Sequence, residues 1–169
     1  AVHAQIDFED VNLSLVSSFP QANVAVHNLK VINQKPFQGE TLATVKLISF
    51  EMPIMELFKS ADEGPIVVNS IAIDEALINI KSDQSGNTNY DIAKESDSTT
   101  PETEAVNADF EFNIDHYSLT NSVISYQDEI SKTFVELSEL NHSGTAAFST
   151  KVSELNTTTE TRVSFAIDS

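Results

Sequence analysis

Cysteine and tryptophan are absent from these 169 residues, and glycine occurs only four times. Without a thiol there can be no disulfide, no thiolate nucleophile and no cysteine metal site. Four scattered glycines do not build a phosphate-cradling loop. Ser143-Gly144 lacks the second flanking glycine of a nucleophile elbow. Cations are also scarce, 9 against 26 acidic residues, for a formal net charge of −17. Such a chain repels nucleic acid and offers no basic stripe to overcome the repulsion. It disfavours an anionic membrane surface for the same reason. No apolar run approaches the roughly 18 residues of a helical membrane span. The four histidines, His3, His27, His116 and His142, fall in no metal-ligand spacing. Asp7, Glu9 and Asp10 cluster, as do Asp128 and Glu129, but at positions expected on an outer face or in a turn. The loop Asp83 to Asn89 has oxygen donors without the spacing or the closing Glu of an EF-hand. The expectation is a protein that is not an enzyme, with no cofactor and no metal.

What is present is a recurring pattern: apolar, any, apolar, two mostly polar residues, apolar, any, apolar. It reads Ile6-Asp7-Phe8, Glu9-Asp10, Val11-Asn12-Leu13. It returns at Val24–Val31, at Ile66–Ile73 and at Phe112–Leu119. Apolar residues two apart share one face of a strand. The gap of three breaks that period, and one extra residue there restores the face and bends the strand. Bends repeated on successive strands curl a sheet around its apolar side.

The punctuation sets the elements. Strands are expected at about 4–16, 22–33 and 41–50, parted by Ser17-Ser18-Phe19-Pro20 and by Gln34 to Gly39. Met52, Ile54, Met55, Leu57 and Phe58 then fall at helical spacing, which predicts one short helix near residues 52–60. Two more strands follow at 66–73 and 76–82, with Asp74-Glu75 as the turn. Residues 93–107 hold almost nothing to bury and read as an acidic linker. Beyond it, strands are expected at about 108–120, 122–128, 132–141, 144–152 and 160–168, with Asn141 to Gly144 as a hairpin turn. Residues 71–80 and 117–126 echo each other 46 places apart without a gap. The fold expected is mostly β: a curved antiparallel sheet, a groove or half-barrel. It forms a single elongated domain over 1–169, with sub-units 1–92 and 108–169. The pattern starts abruptly at Ala4, as expected of an excised piece or of a processed mature end.

One helix cannot cover so many strands, so part of the apolar face would be left for a ligand. The residues placed there are Phe8, Val11, Leu13, Val26, Leu29, Val45, Leu47, Val68, Ile71, Ile73, Ile78, Ile80, Phe112, Ile114, Tyr117 and Leu119.

Several of these stretches resemble the N-terminal region of the AsmA family of envelope proteins. The residues are Phe8 to Leu15, Phe19-Pro20, Val26 to Asn33 and Pro36 to Ala43. Met55 to Phe58, Ile71-Ala72-Ile73 and Ile78-Asn79-Ile80 continue the likeness. So do Gly86-Asn87-Thr88-Asn89-Tyr90, with Tyr where Trp is commoner, and Leu119 to Asp128. The resemblance implies a periplasmic protein of a Gram-negative bacterium, held to the inner membrane by an anchor outside this chain. It implies a part in outer-membrane biogenesis, and kinship with bridge-like proteins that carry phospholipid acyl chains along a groove. A non-catalytic scaffold or assembly module of the envelope is the alternative.

Overall fold

The computed structural model describes residues 4–15, 19–59, 67–92, 111–149 and 153–167. The expected acidic linker 93–107, Ile66 of the third pattern copy, the end of the expected helix at Ser60 and residues 150–152 lie outside them.

Eight strands form one sheet, open and curved but not closed. They are β1 (Ala4–Asp7), β2 (Asp10–Ser14), β3 (Gln21–Asn33), β4 (Thr41–Pro53), β5 (Ser70–Ser82), β6 (Glu111–Asp128), β7 (Thr133–Ser149) and β8 (Ser153–Ile167). The order runs β1-β3-β4-β5-β6-β7-β8, with β2 beside β1 on β3. β1 and β2 are one edge strand broken at Phe8-Glu9, the middle of the first pattern copy.

All pairs are antiparallel except β5–β6. The expected antiparallel sheet thus contains one parallel pair. A parallel pair needs a crossover of a dozen residues or more, and the stretch between Ser82 and Glu111 supplies it. The register is telling. Ile71 lies beside Tyr117, Ile73 beside Leu119, Ile78 beside Ile124 and Ile80 beside Tyr126, each 46 places on. The sequence echo is thus a pair of like strands stacked in register.

The expected helix is instead the end of β4 and a single 3₁₀ turn, Ile54–Phe58. Met52 and Pro53 still pair with Ala22 and Gln21, so the ladder claims the first residues of the helical pattern. Met55 and Phe58 are exposed, so the turn buries no stripe that would lengthen it.

The expected turn at Asp74-Glu75 and the expected break at residue 121 are creases inside long strands. Asn28, Glu75, Asn121 and Glu139 all have φ near +51°. Each sits mid-strand, in β3, β5, β6 and β7 respectively. Asp74-Glu75 is therefore the bend of one strand, not a hairpin. Likewise β6 runs through Asn121, and β7 runs through the expected turn at Asn141–Gly144. A left-handed residue breaks the alternation of side chains, so two neighbours point outward together and their flanks both point inward. A further bulge at Asp115-His116 gives β6 one residue more than β7 between Ile114 and Tyr117, as the fourth pattern copy anticipates.

The creases line up across the sheet. Leu29 pairs with Val45, and Val45 with Ala76. Ser122 pairs with Leu140, and the Ala76 N–H donates to Ser122 Oγ at 3.0 Å. Val45, Ala76, Ser122 and Leu140 are the inner residues of the crease, and all are buried; Ser122 is 0 % exposed. Asn28, Lys46, Glu75, Asn121 and Glu139 on the outer side are all exposed. That contrast places the apolar side inside the bend. It also explains Ala76 and Ser122, because the inner angle leaves little room for a larger side chain.

The outer side is laced together by polar ties. Asn28 Nδ2 donates to Glu9. Lys46 Nζ meets Glu75 Oε1 at 2.5 Å. Asp74 Oδ1 accepts from Thr120 Oγ1 at 2.7 Å and from Asn121 Nδ2 at 2.9 Å. The Asn121 N–H donates to Asn141 Oδ1 at 3.1 Å. Arg162 and Glu139 pair at 3.0 Å.

Two outcomes test the crease. Ser122→Ala strands the Ala76 N–H in a buried site, and a loss of about 1–3 kcal/mol in urea unfolding is expected. The hydrogen bond from Thr120, then that from Asn121, holds the Asp74 carboxyl below its ordinary value. A carboxyl so lowered adds stability above its unfolded value of about 3.9, and that gain is lost as pH falls through the folded value. The stability gap between wild type and Asp74→Asn should therefore be widest above about pH 4 and narrow below it.

Candidate functional site

Four rungs cross the inner side of the sheet, and the strand registers define them. One runs Val24, Phe50, Ile71, Tyr117, Gly144, Thr157. The next runs Val26, Ile48, Ile73, Leu119, His142, Thr159. Beyond the crease come Val31, Ala43, Ile78, Ile124, Leu137, Val163. The fourth is Ile80, Tyr126, Val135, Phe165.

Nothing among the described residues covers this surface. Every strand touches only its sheet neighbours, with β3 and β4 also meeting the 3₁₀ turn. Most of the rung residues are consequently half-buried rather than buried. At the margins they are open: Leu13 is 54 % exposed on β2 and Phe165 is 63 % exposed on β8. Exposed apolar surface of this kind makes the inner side the candidate site of this chain.

Twelve of the residues expected on this face lie on strands or strand breaks that border it. Val26, Leu29, Ile71, Ile73, Ile78, Ile80, Ile114, Tyr117 and Leu119 are half-buried there, and Phe8, Val11 and Leu13 are exposed at the β1–β2 margin. Val45 is buried in the crease itself. Val68 precedes β5, half-buried. The side chain of Phe112 lies outside the described residues. Leu47 is misplaced by the sequence pattern. It pairs with His27 and Asp74, the outer row, while Ile48 and Phe50 point inward with Val26 and Val24. Strand β4 changes phase at Lys46-Leu47, which is its own share of the crease. Ile124, Tyr126, Val135, Leu137, Val163 and Phe165 were also overlooked, although their period of two was legible.

One end of the inner face is polar. Tyr117 Oη lies 3.1 Å from His142 Nε2, and His142 Nδ1 lies 2.7 Å from Thr159 Oγ1. The two rings are tilted, with centroids 5.4 Å apart. His142 therefore sits in a strand among hydrogen-bonding partners, not in a solvated turn. Gly144 makes room for the arrangement. A Cβ there would lie 2.1 Å from the Asn156 carbonyl oxygen and 3.0 Å from Tyr117 Oη.

The Gly86–Tyr90 motif has a structural account. Asp83 Oδ1 accepts the Ser85 and Asn87 N–H groups at 2.8 and 2.9 Å, which closes the loop. These bonds, led by that from the Asn87 side chain, keep the Asp83 carboxyl below its ordinary value. Its oxygens are engaged by the loop itself. Asn89 is buried; its Oδ1 accepts from Lys81 N at 2.8 Å and its Nδ2 donates to Asn79 O at 2.7 Å. It thus completes the part of β5 that extends beyond β4. Among the described residues no group of three metal-ligating side chains converges, and no helix is long and apolar enough to cross a membrane.

No family model, no curated protein and no solved structure matches this chain. The site must therefore be read from its own geometry: a creased, one-layer sheet that supplies a broad apolar surface and one polar corner. Gly144→Ala tests how tightly that corner is built. The added methyl meets backbone, so β7 and β8 must part; a loss of about 1–3 kcal/mol and faster amide exchange confined to β8 are expected.

Proposed function

We propose that this chain is a lipid-shielding module of the AsmA-like type, which holds acyl chains against the inner side of its sheet. The observation that carries the reading is the uncovered apolar surface inside the crease. A globular sandwich would press a second layer onto those rungs. Here they are left half-buried, and the strands on both sides of the crease fold toward them. Each methylene moved from water onto such a surface gains roughly 0.8 kcal/mol, so a dozen would offset about 10 kcal/mol of exposure. The head group stays in solvent, and no residue needs to react. The resemblance noted in the sequence sets this module in the periplasm, as part of an inner-membrane-anchored protein serving outer-membrane biogenesis. The negative charge of the chain suits extraction of tails rather than adhesion to an anionic surface.

The open length of β8 favours a second reading, a scaffold that pairs through its edge and holds no ligand. All described side chains on β8 are exposed, and among the described residues its backbone has a partner strand on one side only.

One experiment separates the two. Purified protein is incubated with phosphatidylcholine–phosphatidylethanolamine vesicles, separated from them, and weighed by native mass spectrometry. Lipid carriage predicts an added mass of one or two phospholipids. It also predicts loss of that mass in Ile73→Asp and Leu119→Asp, with far-UV circular dichroism unchanged. A clean protein mass after incubation overturns the lipid reading and leaves the scaffold.

A further inference from the structure

On the lipid-shielding reading, the polar corner acquires a specific role. We propose that Tyr117, His142 and Thr159 form a polar subsite set into the apolar face, which takes an ester carbonyl of the bound amphiphile.

The argument starts from a count of hydrogens. A neutral imidazole carries one N–H and one bare nitrogen. If Nδ1 holds the proton, it donates to Thr159 Oγ1 and the Tyr117 hydroxyl donates into Nε2. The Thr159 hydrogen is then left over. If Nε2 holds the proton, it donates to Tyr117 Oη and the Thr159 hydroxyl donates into Nδ1. The Tyr117 hydrogen is then left over. Either way the relay ends in one hydroxyl hydrogen that it cannot use. Protonated imidazole would leave both. Among the described residues neither hydroxyl has a further acceptor. The subsite therefore always presents a donor, and the complementary ligand atom is an acceptor oxygen.

Its place in the sheet selects the kind of acceptor. The register sets Leu155 beside Ala146 on one side of the corner, and Val163 beside Leu137 on the other. Along its rung, His142 follows Val26, Ile48, Ile73 and Leu119. Apolar surface thus meets the relay along its rung and lies beyond Thr157 and Thr161 on β8, while the remaining direction is the open β8 edge. A group that enters here must be joined directly to hydrocarbon while pointing toward water. An acyl ester meets both conditions, because its carbonyl stands where the tail ends and the head begins. A bare hydrocarbon would leave the hydroxyl hydrogen desolvated without a partner, at a cost in affinity.

A matched pair of lipids isolates the carbonyl. Palmitoyl lysophosphatidylcholine and its hexadecyl ether analogue share head group and chain length, and differ in that one acceptor. Both are titrated as monomers against wild type and against Tyr117→Phe, Thr159→Val and the double variant. Wild type should bind the ester about 5–10-fold tighter, the equivalent of one hydrogen bond. In the double variant the ester should fall to the affinity of the ether, with the ether unchanged. Unchanged ether binding also certifies that the variant is folded. Equal binding of ester and ether by wild type overturns the subsite and spares the lipid reading. A preference that survives in the double variant does the same. If wild type binds neither lipid, the lipid-shielding reading itself falls and takes the subsite with it.

Discussion

A sheet of one layer has only its own two flanks with which to shelter apolar side chains, and the crease is how this chain brings those flanks together. Residues in the left-handed region are uncommon outside glycine, and Asn bears them more easily than Glu. The chain nonetheless places one at the same level in β3, β5, β6 and β7, twice with Glu. Bends out of line would twist the strands apart and break the ladders between them. Bends in line fold the whole sheet along one axis. The inner angle is then filled by Val45, Ala76, Ser122 and Leu140, all of them buried.

The polar ties follow from the same constraint. Where a strand turns through a left-handed residue, the ladder between neighbours is interrupted and backbone groups lose their partners. Ser122 Oγ answers the Ala76 N–H inside, and Asn141 Oδ1 answers the Asn121 N–H outside. The two solutions differ because the two sides differ. Inside, the residues are buried and space is short, so a small hydroxyl serves. Outside they are exposed and have room, so amides and carboxylates reach across from strand to strand. The ion pairs Lys46–Glu75 and Arg162–Glu139 are well exposed and add little to stability on their own. Asp74 is better placed, since it accepts from two side chains of the neighbouring strand at once.

Much of this was legible in the sequence, and the failures share one cause. The gap of three in the recurring pattern announced a bend with the apolar side inside, and at Asn28 and Asp115-His116 the bend is there. At Asp74-Glu75 the same kind of polar pair reads as a hairpin turn; Asn141 to Gly144 also reads as one, although the crease of β7 lies at Glu139 and residues 141–144 stay paired with β8. A crease and a turn use the same residues, because both need an outward polar pair and a tolerant φ. What separates them is whether the strand continues in its old direction, and that is decided by neighbours remote in sequence. The helix failed for a similar reason: Met52 and Pro53 carry a helical spacing, but Ala22 and Gln21 hold them in the ladder. The 46-residue echo was visible, yet its meaning as a parallel pair in register was not, since periodicity says nothing of strand direction. Leu47 falls on the outer row because β4 changes phase at Lys46-Leu47, where the sequence has a single lysine and no polar pair to mark it. The polar corner left only a faint trace, a tyrosine in the echo and threonines at 157, 159 and 161.

An uncovered apolar face and an open edge are hazards for any protein in water, and the charge of the chain is best understood as their counterweight. Two copies that met face to face would bury rungs on both sides, and at −17 each they repel before they touch. The repulsion is long-ranged and does not act on a neutral or zwitterionic lipid. The same charge therefore discriminates among the partners that an apolar surface could take. On the proposed reading it works against nucleic acid, anionic membranes and other copies of the chain, and leaves single amphiphiles free to approach. Selectivity of this kind needs no shaped cavity, which is consistent with a broad surface lined by Val, Ile and Leu and given a fixed chemical direction at only one corner.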